Sequence, residues 1–358
     1  MKVQSVLGDL VPSDLGRTLT HEHLSLDFHH FYFDAPKHLR SYVTDEKKIS
    51  LGNVGVLRQY PYSSHYNIQF CDDDTNEKVI EDLHLYKKWC GGNCTIVENT
   101  TTGIRRDLKF YRKAALETGV NVVAGTGHYL EMTQKSGELS LTIEQMSELY
   151  TKEIVSGVDV SSAHDGSDII KCGFLGEIAS NWPITDFEKR AIQASAEVSA
   201  TLGCGVTFHP ARDPRAPFEV IRLYLEAGGK ADKCIMSHLD RTIHNNDTLL
   251  EFAKLGVYNQ LDLFGTECSL YQFAMHLDMP SDAQRMDSVI VLAKAGYEDR
   301  ILMSHDIHTK HRLLGFGGHG YAHILNNVLP KLKLKGLTED QIEKITVTNP
   351  ANWIAFNI

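Results

Sequence analysis

Thr18-Leu19-Thr20-His21-Glu22-His23-Leu24 reads as a short β-strand that ends on two histidines. Successive strand side chains point to opposite faces, so His21 and His23 share one face and Glu22 takes the other. Two imidazoles so placed can hold one divalent cation, and two ordinary hydrogen-bonded histidines would give the same pattern. What separates the two readings is whether the chain repeats the device: a strand, a ligand-type residue at its end, then a helix.

The chain does repeat it. Apolar runs predict strands at 94–99, 120–127, 172–178, 205–209, 234–238, 257–263 and 301–306, which with 18–23 makes eight. Helices are predicted at about 75–89, 107–118, 142–156, 185–202, 217–227, 246–255 and 281–295. In the clearest of them Thr185 and Glu188 form a capping box. Phe187, Ala191, Ala194, Val198 and Leu202 recur at helical spacing, and Gly203 follows as the stop. Strands alternating with amphipathic helices argue a parallel sheet, and eight such units suit a (β/α)8 TIM barrel. One domain over 1–358 is expected, with a long loop insertion at about 24–73. That insertion mixes aromatics, histidines and charges without a period, so it is either a wall of the substrate site or a structural excursion.

Composition narrows the function. Of 358 residues 42% are hydrophobic, and the net charge of -10 argues against a nucleic-acid binder while leaving room for a local cationic pocket. The start, Met1–Asp9, has no apolar run, and no stretch approaches a membrane span. The seven cysteines form no CxxC pair, and Cys94, Cys172, Cys204 and Cys234 fall in apolar strands. A cytoplasmic protein with reduced thiols is expected.

In such a barrel the strand ends converge on one mouth. Six ligand-type residues stand there: His21 and His23 on strand 1, Glu177 on strand 4, His209 on strand 5, His238 on strand 6 and Asp306 on strand 8. Six donors exceed what one catalytic ion takes and suit two ions. The expected division is His21, His23 and Asp306 on one and His209 and His238 on the other, with Glu177 bridging. Such a pair supplies Lewis acidity and acidifies water, and Asp306 is placed to move the proton. With nitrogen and oxygen donors only, zinc is the first expectation, and manganese, cobalt and iron stay open.

The same segments, with Gly176-Glu177-Ile178, Val206-Thr207-Phe208-His209, Ser237-His238, Ser304-His305-Asp306 and Thr348-Asn349-Pro350-Ala351, resemble the phosphotriesterase family of the amidohydrolase superfamily. The resemblance implies a barrel with a binuclear metal centre and metal-dependent hydrolysis. For the animal branch it implies amide hydrolysis of N-acyltaurines, chiefly N-acetyltaurine, to taurine and a carboxylate. Many relatives bridge their metals with a carboxylated lysine. Here Glu177 takes that place, and Lys171, six residues earlier, is expected on the barrel floor.

The resemblance also marks Tyr129 as a substrate orienter, with a packed rim tyrosine as the alternative. Asp240 and Arg241 follow a ligand and either support it or form a surface ion pair. Lys310, His311 and Arg312 follow Asp306 and are the cationic cluster expected to meet an anionic substrate, with Arg212, Arg215 and Arg241 as other candidates. A polar, basic loop there speaks against neutral aryl phosphotriesters as substrates. Competing readings are a lactonase or esterase with promiscuous phosphotriesterase activity, and a metal-binding protein without catalysis. The expected partner is a small anionic molecule, with a homodimer left open.

Overall fold

The computed structural model describes residues 1–44, 47–163 and 165–357. Eight parallel strands form one sheet in consecutive order: β1 Arg17–Glu22, β2 Cys94–Glu98, β3 Asn121–Thr126, β4 Phe174–Ala179, β5 Val206–His209, β6 Cys234–Met236, β7 Tyr258–Leu261 and β8 Ile301–Met303. Helices α1 Asp73–Cys90, α2 Leu108–Thr118, α3 Ile143–Val155, α4 Asp186–Leu202, α5 Ala216–Glu226, α6 Asn246–Ala253 and α7 Asp282–Lys294 fill the connections. This is the TIM-barrel architecture. Ladder pairing runs from β1 through to β8, and the seam between those two closes above the strands. There His21 N–H donates to Ser304 Oγ at 3.0 Å, and Asp306 N–H donates to the His21 carbonyl at 3.1 Å.

Local chemistry explains the elements. In α4 the Thr185 side chain accepts from Glu188 N–H and the Glu188 side chain accepts from Thr185 N–H, while Gly203 closes the helix at φ 75. Strands β3 and β4 approach so closely at Gly125 that a Cβ there would stand 2.0 Å from the Gly176 carbonyl oxygen. Glycine at 125 therefore lets β4 carry Glu177 to the mouth.

The lower barrel is plugged by Val97, Val123, Phe174, Ile235, Tyr258 and Leu302 from six strands. Trp353 seals it, donating its indole N–H to the Lys233 carbonyl at 3.1 Å. A larger apolar layer lies between strands and helices and extends under the insertion. The polar side chains of the strand ends thus sit on a dry, packed floor.

Three expectations change. Strands β6 and β8 end earlier than the apolar runs suggested, at Met236 and Met303. Ligand-type residues His238 and Asp306 leave the ladder in left-handed backbone, φ 57 and 54, where side chains are seldom found. His238 N–H is satisfied by the Asp262 carboxylate at 3.0 Å. Secondly, the insertion is folded. Leu26–Asp27 pairs antiparallel with Gln69–Phe70, and Val54–Gln59 is a helical turn. Thirdly, strand 4 begins at Phe174, so exposed Lys171 lies before it, beside the Ile169–Ile170 strand and the amino-terminal hairpin. Among the described residues no helix is long and apolar enough to cross a membrane, and all seven cysteines are free.

Candidate metal centre and active site

At the mouth the strand ends bring the six predicted ligands into one buried cluster. His23 Nε2 lies 3.1 Å from Asp306 Oδ1, and His21 Nε2 lies 3.6 Å from the same oxygen. His209 Nδ1 is 3.0 Å from Glu177 Oε2 and 2.9 Å from His238 Nε2. Glu177 faces both sets, with Oε1 3.6 Å from His23 Nε2 and Oε2 3.5 Å from His21 Nε2. Two compact donor groups result: His21, His23 and Asp306, and Glu177, His209 and His238.

The donors are held from behind. His238 Nδ1 meets Asp262 Oδ1 at 2.7 Å, and His21 Nδ1 lies 3.4 Å from Asp262 Oδ2. On the other side His23 Nδ1 meets Thr100 Oγ1 at 2.8 Å, and that hydroxyl donates to Glu98 Oε1 at 2.6 Å. Each contact fixes a ring with its Nε2 toward the centre. Asp262 was not singled out from sequence, although the rule that found Glu177 and Asp306, an acidic residue closing a predicted strand, picks it on strand 7. It forms a third donor group with His21 and His238.

Burial sets the charge states. It pushes the His21 imidazole down to about 4, helped by His238 and His23 against the pull of Asp262 and Asp306. Burial also lowers His209 well below the usual range, with His238 and nearby arginines adding to it, and lowers His238 likewise, with Arg241 adding to it. Burial raises Glu177, reinforced by Asp306 and Asp262, and raises Asp262 to about 6. For Asp306 burial works upward, but His308, His23 and His21 outweigh it and hold the carboxyl well below its usual range. The donor set therefore fits divalent cations: neutral imidazoles and crowded carboxylates share one small volume, and His21 Nε2 is buried without a hydrogen-bond partner.

A cavity of about 360 Å³ opens over the cluster. Phe28, Phe31 and Tyr62 of the insertion and Phe273 of the β7–α7 connection give it an aromatic wall. Tyr129 lines it too, its hydroxyl 3.3 Å from His209 Nδ1. Arg241 is buried beside the cluster, with Nη2 3.1 Å from His209 Nε2.

The basic loop after β8 departs from expectation. Residues Lys310–Arg312 form one 3-10 turn, which fans consecutive side chains in different directions. Lys310 points away from the cavity, ion-paired with Asp72 and above the Tyr66 ring. His311 lines the cavity while held by Asn67, its backbone N–H donating to Asn67 Oδ1 at 2.9 Å. Arg312 also lines it but donates to the carbonyl oxygens of His305 and Asp306. Of the alternatives Arg212 faces the cavity, whereas exposed Arg215 pairs with Asp213 at 2.7 Å. Asp240 is no surface residue: it is buried and paired with Arg285 Nε at 2.9 Å.

The model of the Phosphotriesterase family matches residues 1–354. The chain belongs to the phosphotriesterase family. Members of this family are binuclear metal-dependent hydrolases, in keeping with the two donor groups at the mouth. A phosphotriesterase-related protein from Aedes aegypti is 57% identical over 100% of this chain and 99% of its own. A resiniferatoxin-binding protein from Rhodobacter sphaeroides superimposes with a TM-score of 0.89 at 28% identity, over 99% of this chain and 96% of that one. A lactonase from Listeria monocytogenes shares the fold, with a TM-score of 0.75 at 20% identity over 100% of both chains.

Proposed function

We propose that this phosphotriesterase-family chain hydrolyses small anionic amides, N-acyltaurines and chiefly N-acetyltaurine, to a carboxylate and taurine. The observation that carries the anionic part is the pair Arg212 and Arg241 on the cavity wall. Neither makes an ion pair with a carboxylate among the described residues, and both line the cavity where an anion would enter. A guanidinium out of water calls for an anion. The amide and its acyltaurine identity rest on the family resemblance.

In this reading His21, His23 and Asp306 would hold one divalent cation and His209 and His238 the other, with Glu177 available to both and zinc as the expected metal. The two ions would supply Lewis acidity toward the scissile carbonyl and lower the pKa of water. The residues do the rest. Asp306 takes the proton from the attacking water and gives it to the departing amine nitrogen, which leaves as taurine. His308 Nδ1, 3.2 Å from Asp306 Oδ2, steadies that carboxylate, and His308 Nε2 meets the Tyr62 hydroxyl at 2.8 Å. Tyr129 orients the carbonyl. Arg241 and Arg212 hold the sulfonate, while Phe28, Phe31 and Tyr62 exclude water and cover the acyl group.

A second reading, a lactonase or esterase on the same centre, is favoured by the aromatic wall, which suits an apolar acyl chain. Turnover of N-acetyltaurine against a medium-chain lactone separates the two. Arg241→Gln should raise KM for N-acetyltaurine about 10- to 100-fold, the worth of a charge-assisted hydrogen bond, and barely change a neutral ester. Equal effects on both substrates would remove the anion pocket from the proposal. Metal analysis of chelator-free protein separates both from a non-catalytic metal binder.

A further inference from the structure

The cavity wall facing β5 comes from the segment that follows β7, and Tyr271 lies in it, 7% exposed. Its hydroxyl receives two hydrogen bonds from one guanidinium: Arg212 Nε at 3.1 Å and Arg212 Nη2 at 3.0 Å. Phe273 supports the same group from its face, with Arg212 Cζ 4.7 Å from the ring centroid. A phenol oxygen has two lone pairs and one proton. Both lone pairs are turned to Arg212, so the proton is left to donate, and no acceptor meets it among the described residues. Nη1 of Arg212 likewise has no hydrogen-bond partner there.

The arrangement sorts anions by shape. A planar carboxylate is best gripped by the side-on edge of a guanidinium, Nε with Nη2, as a bidentate pair. On Arg212 that edge is already committed to Tyr271, which leaves the end-on edge of Nη1 and Nη2 open to the cavity's contents. What remains are the end-on N–H groups of Arg212, the Tyr271 O–H, and Arg241 on the loop after β6, which also donates to Thr242 Oγ1 and the Pro210 carbonyl. Donors from three residues, with the Tyr271 O–H set beside the guanidinium, can meet the three oxygens of a tetrahedral head group where a carboxylate offers only two.

We infer that Tyr271 is a specificity-determining residue, fixing the Arg212 guanidinium and adding its own O–H to a receptor for a tetrahedral oxyanion, a sulfonate or a phosphonate. The inference rests on the anionic-amide reading above and goes beyond it by naming the residue and the head-group geometry. The test compares the wild type, Tyr271→Phe and Arg212→Gln, loaded with metal. Four substrates share one acetyl-amide: N-acetyltaurine, N-acetyl-2-aminoethylphosphonate, N-acetyl-β-alanine and the neutral methyl sulfone of N-acetyltaurine.

The wild type should bind the two tetrahedral anions about tenfold or more tighter than the carboxylate and the sulfone. Tyr271→Phe should raise KM about tenfold for the tetrahedral anions, with kcat within about twofold and the sulfone unaffected. Its melting temperature should match the wild type, because phenylalanine keeps the ring packing. Calorimetric binding of 1-propanesulfonate, which needs no turnover, should weaken by the same factor. An unchanged KM in Tyr271→Phe, with the preference lost in Arg212→Gln, overturns the role of Tyr271 and leaves the anion pocket standing. A wild type that treats sulfonate and sulfone alike, with Arg212→Gln inert, overturns both.

Discussion

Asp262 meets ring nitrogens of two histidines that belong to different donor groups, His238 at 2.7 Å and His21 at 3.4 Å. A residue that orients ligands for both ions should matter to both. Asp262→Asn keeps the shape and removes the charge, and metal affinity should fall about 10- to 100-fold, read by chelator competition. Unaltered affinity would make Asp262 mere filling. Away from the site, Asp82 is buried, accepts Leu314 N–H at 2.9 Å and has no cationic partner among the described residues. Burial raises its carboxyl from 3.8 to about 6. Between those values the folded state binds the proton that the unfolded chain releases, so stability falls as pH rises through that window. The loss is on the order of 3 kcal/mol, complete above pH 6. Asp82→Asn, which can still accept from Leu314, should therefore raise the melting temperature at pH 7.5 and leave it nearly unchanged at pH 3.5. An equal shift at both pH values would show that ionisation is not the cause.

On the scale of an element, β4 separates two residues that sequence alone brings close. Lys171 is exposed before the strand starts, while Glu177 is buried among the histidines at its far end. Glu177→Ala should lose bound metal, Lys171→Ala should keep it, and leaving bicarbonate out of reconstitution should change nothing, all by metal analysis. Bicarbonate-dependent recovery would put the bridge elsewhere. The loop after β8 carries a complementary prediction. Lys310 ties that loop to Asp72, the residue capping α1, so Lys310→Ala should lower the melting temperature and leave the discrimination between sulfonate and neutral substrates intact. What was legible in the sequence follows from these cases. Periodicity and capping boxes gave helices such as α4 to within a residue or two, because local chemistry fixes their ends. The ligand-bearing ends of β6 and β8 were read as strand, because apolar runs do not report a left-handed turn at His238 or Asp306. The cationic residues of the cavity were misassigned in part, since nearness to Asp306 in sequence says nothing of how a 3-10 turn fans Lys310, His311 and Arg312. Tyr271 carried no local signal, because its role depends on Arg212, which lies on another loop.

For the molecule as a whole, the seam of the barrel and the metal centre share residues. His21 and Asp306 are donors of one group, and the hydrogen bond from Asp306 N–H to the His21 carbonyl also closes β1 against β8. Chelation should therefore loosen the seam first. Hydrogen exchange at 19–23 and 304–307 should rise before exchange in β3 to β5, while the plugged lower barrel stays protected. A uniform rise would show that the ions hold no particular part of the fold. The same geometry orders events during synthesis. His21 is separated from its seam partner Ser304 by 283 positions. A growing chain carries His21 and His23 long before the eighth strand, yet their group with Asp306 is incomplete until that strand has been made. A product terminated before β8 thus lacks Asp306 and cannot complete the donor group of His21 and His23, however many other donors it contains.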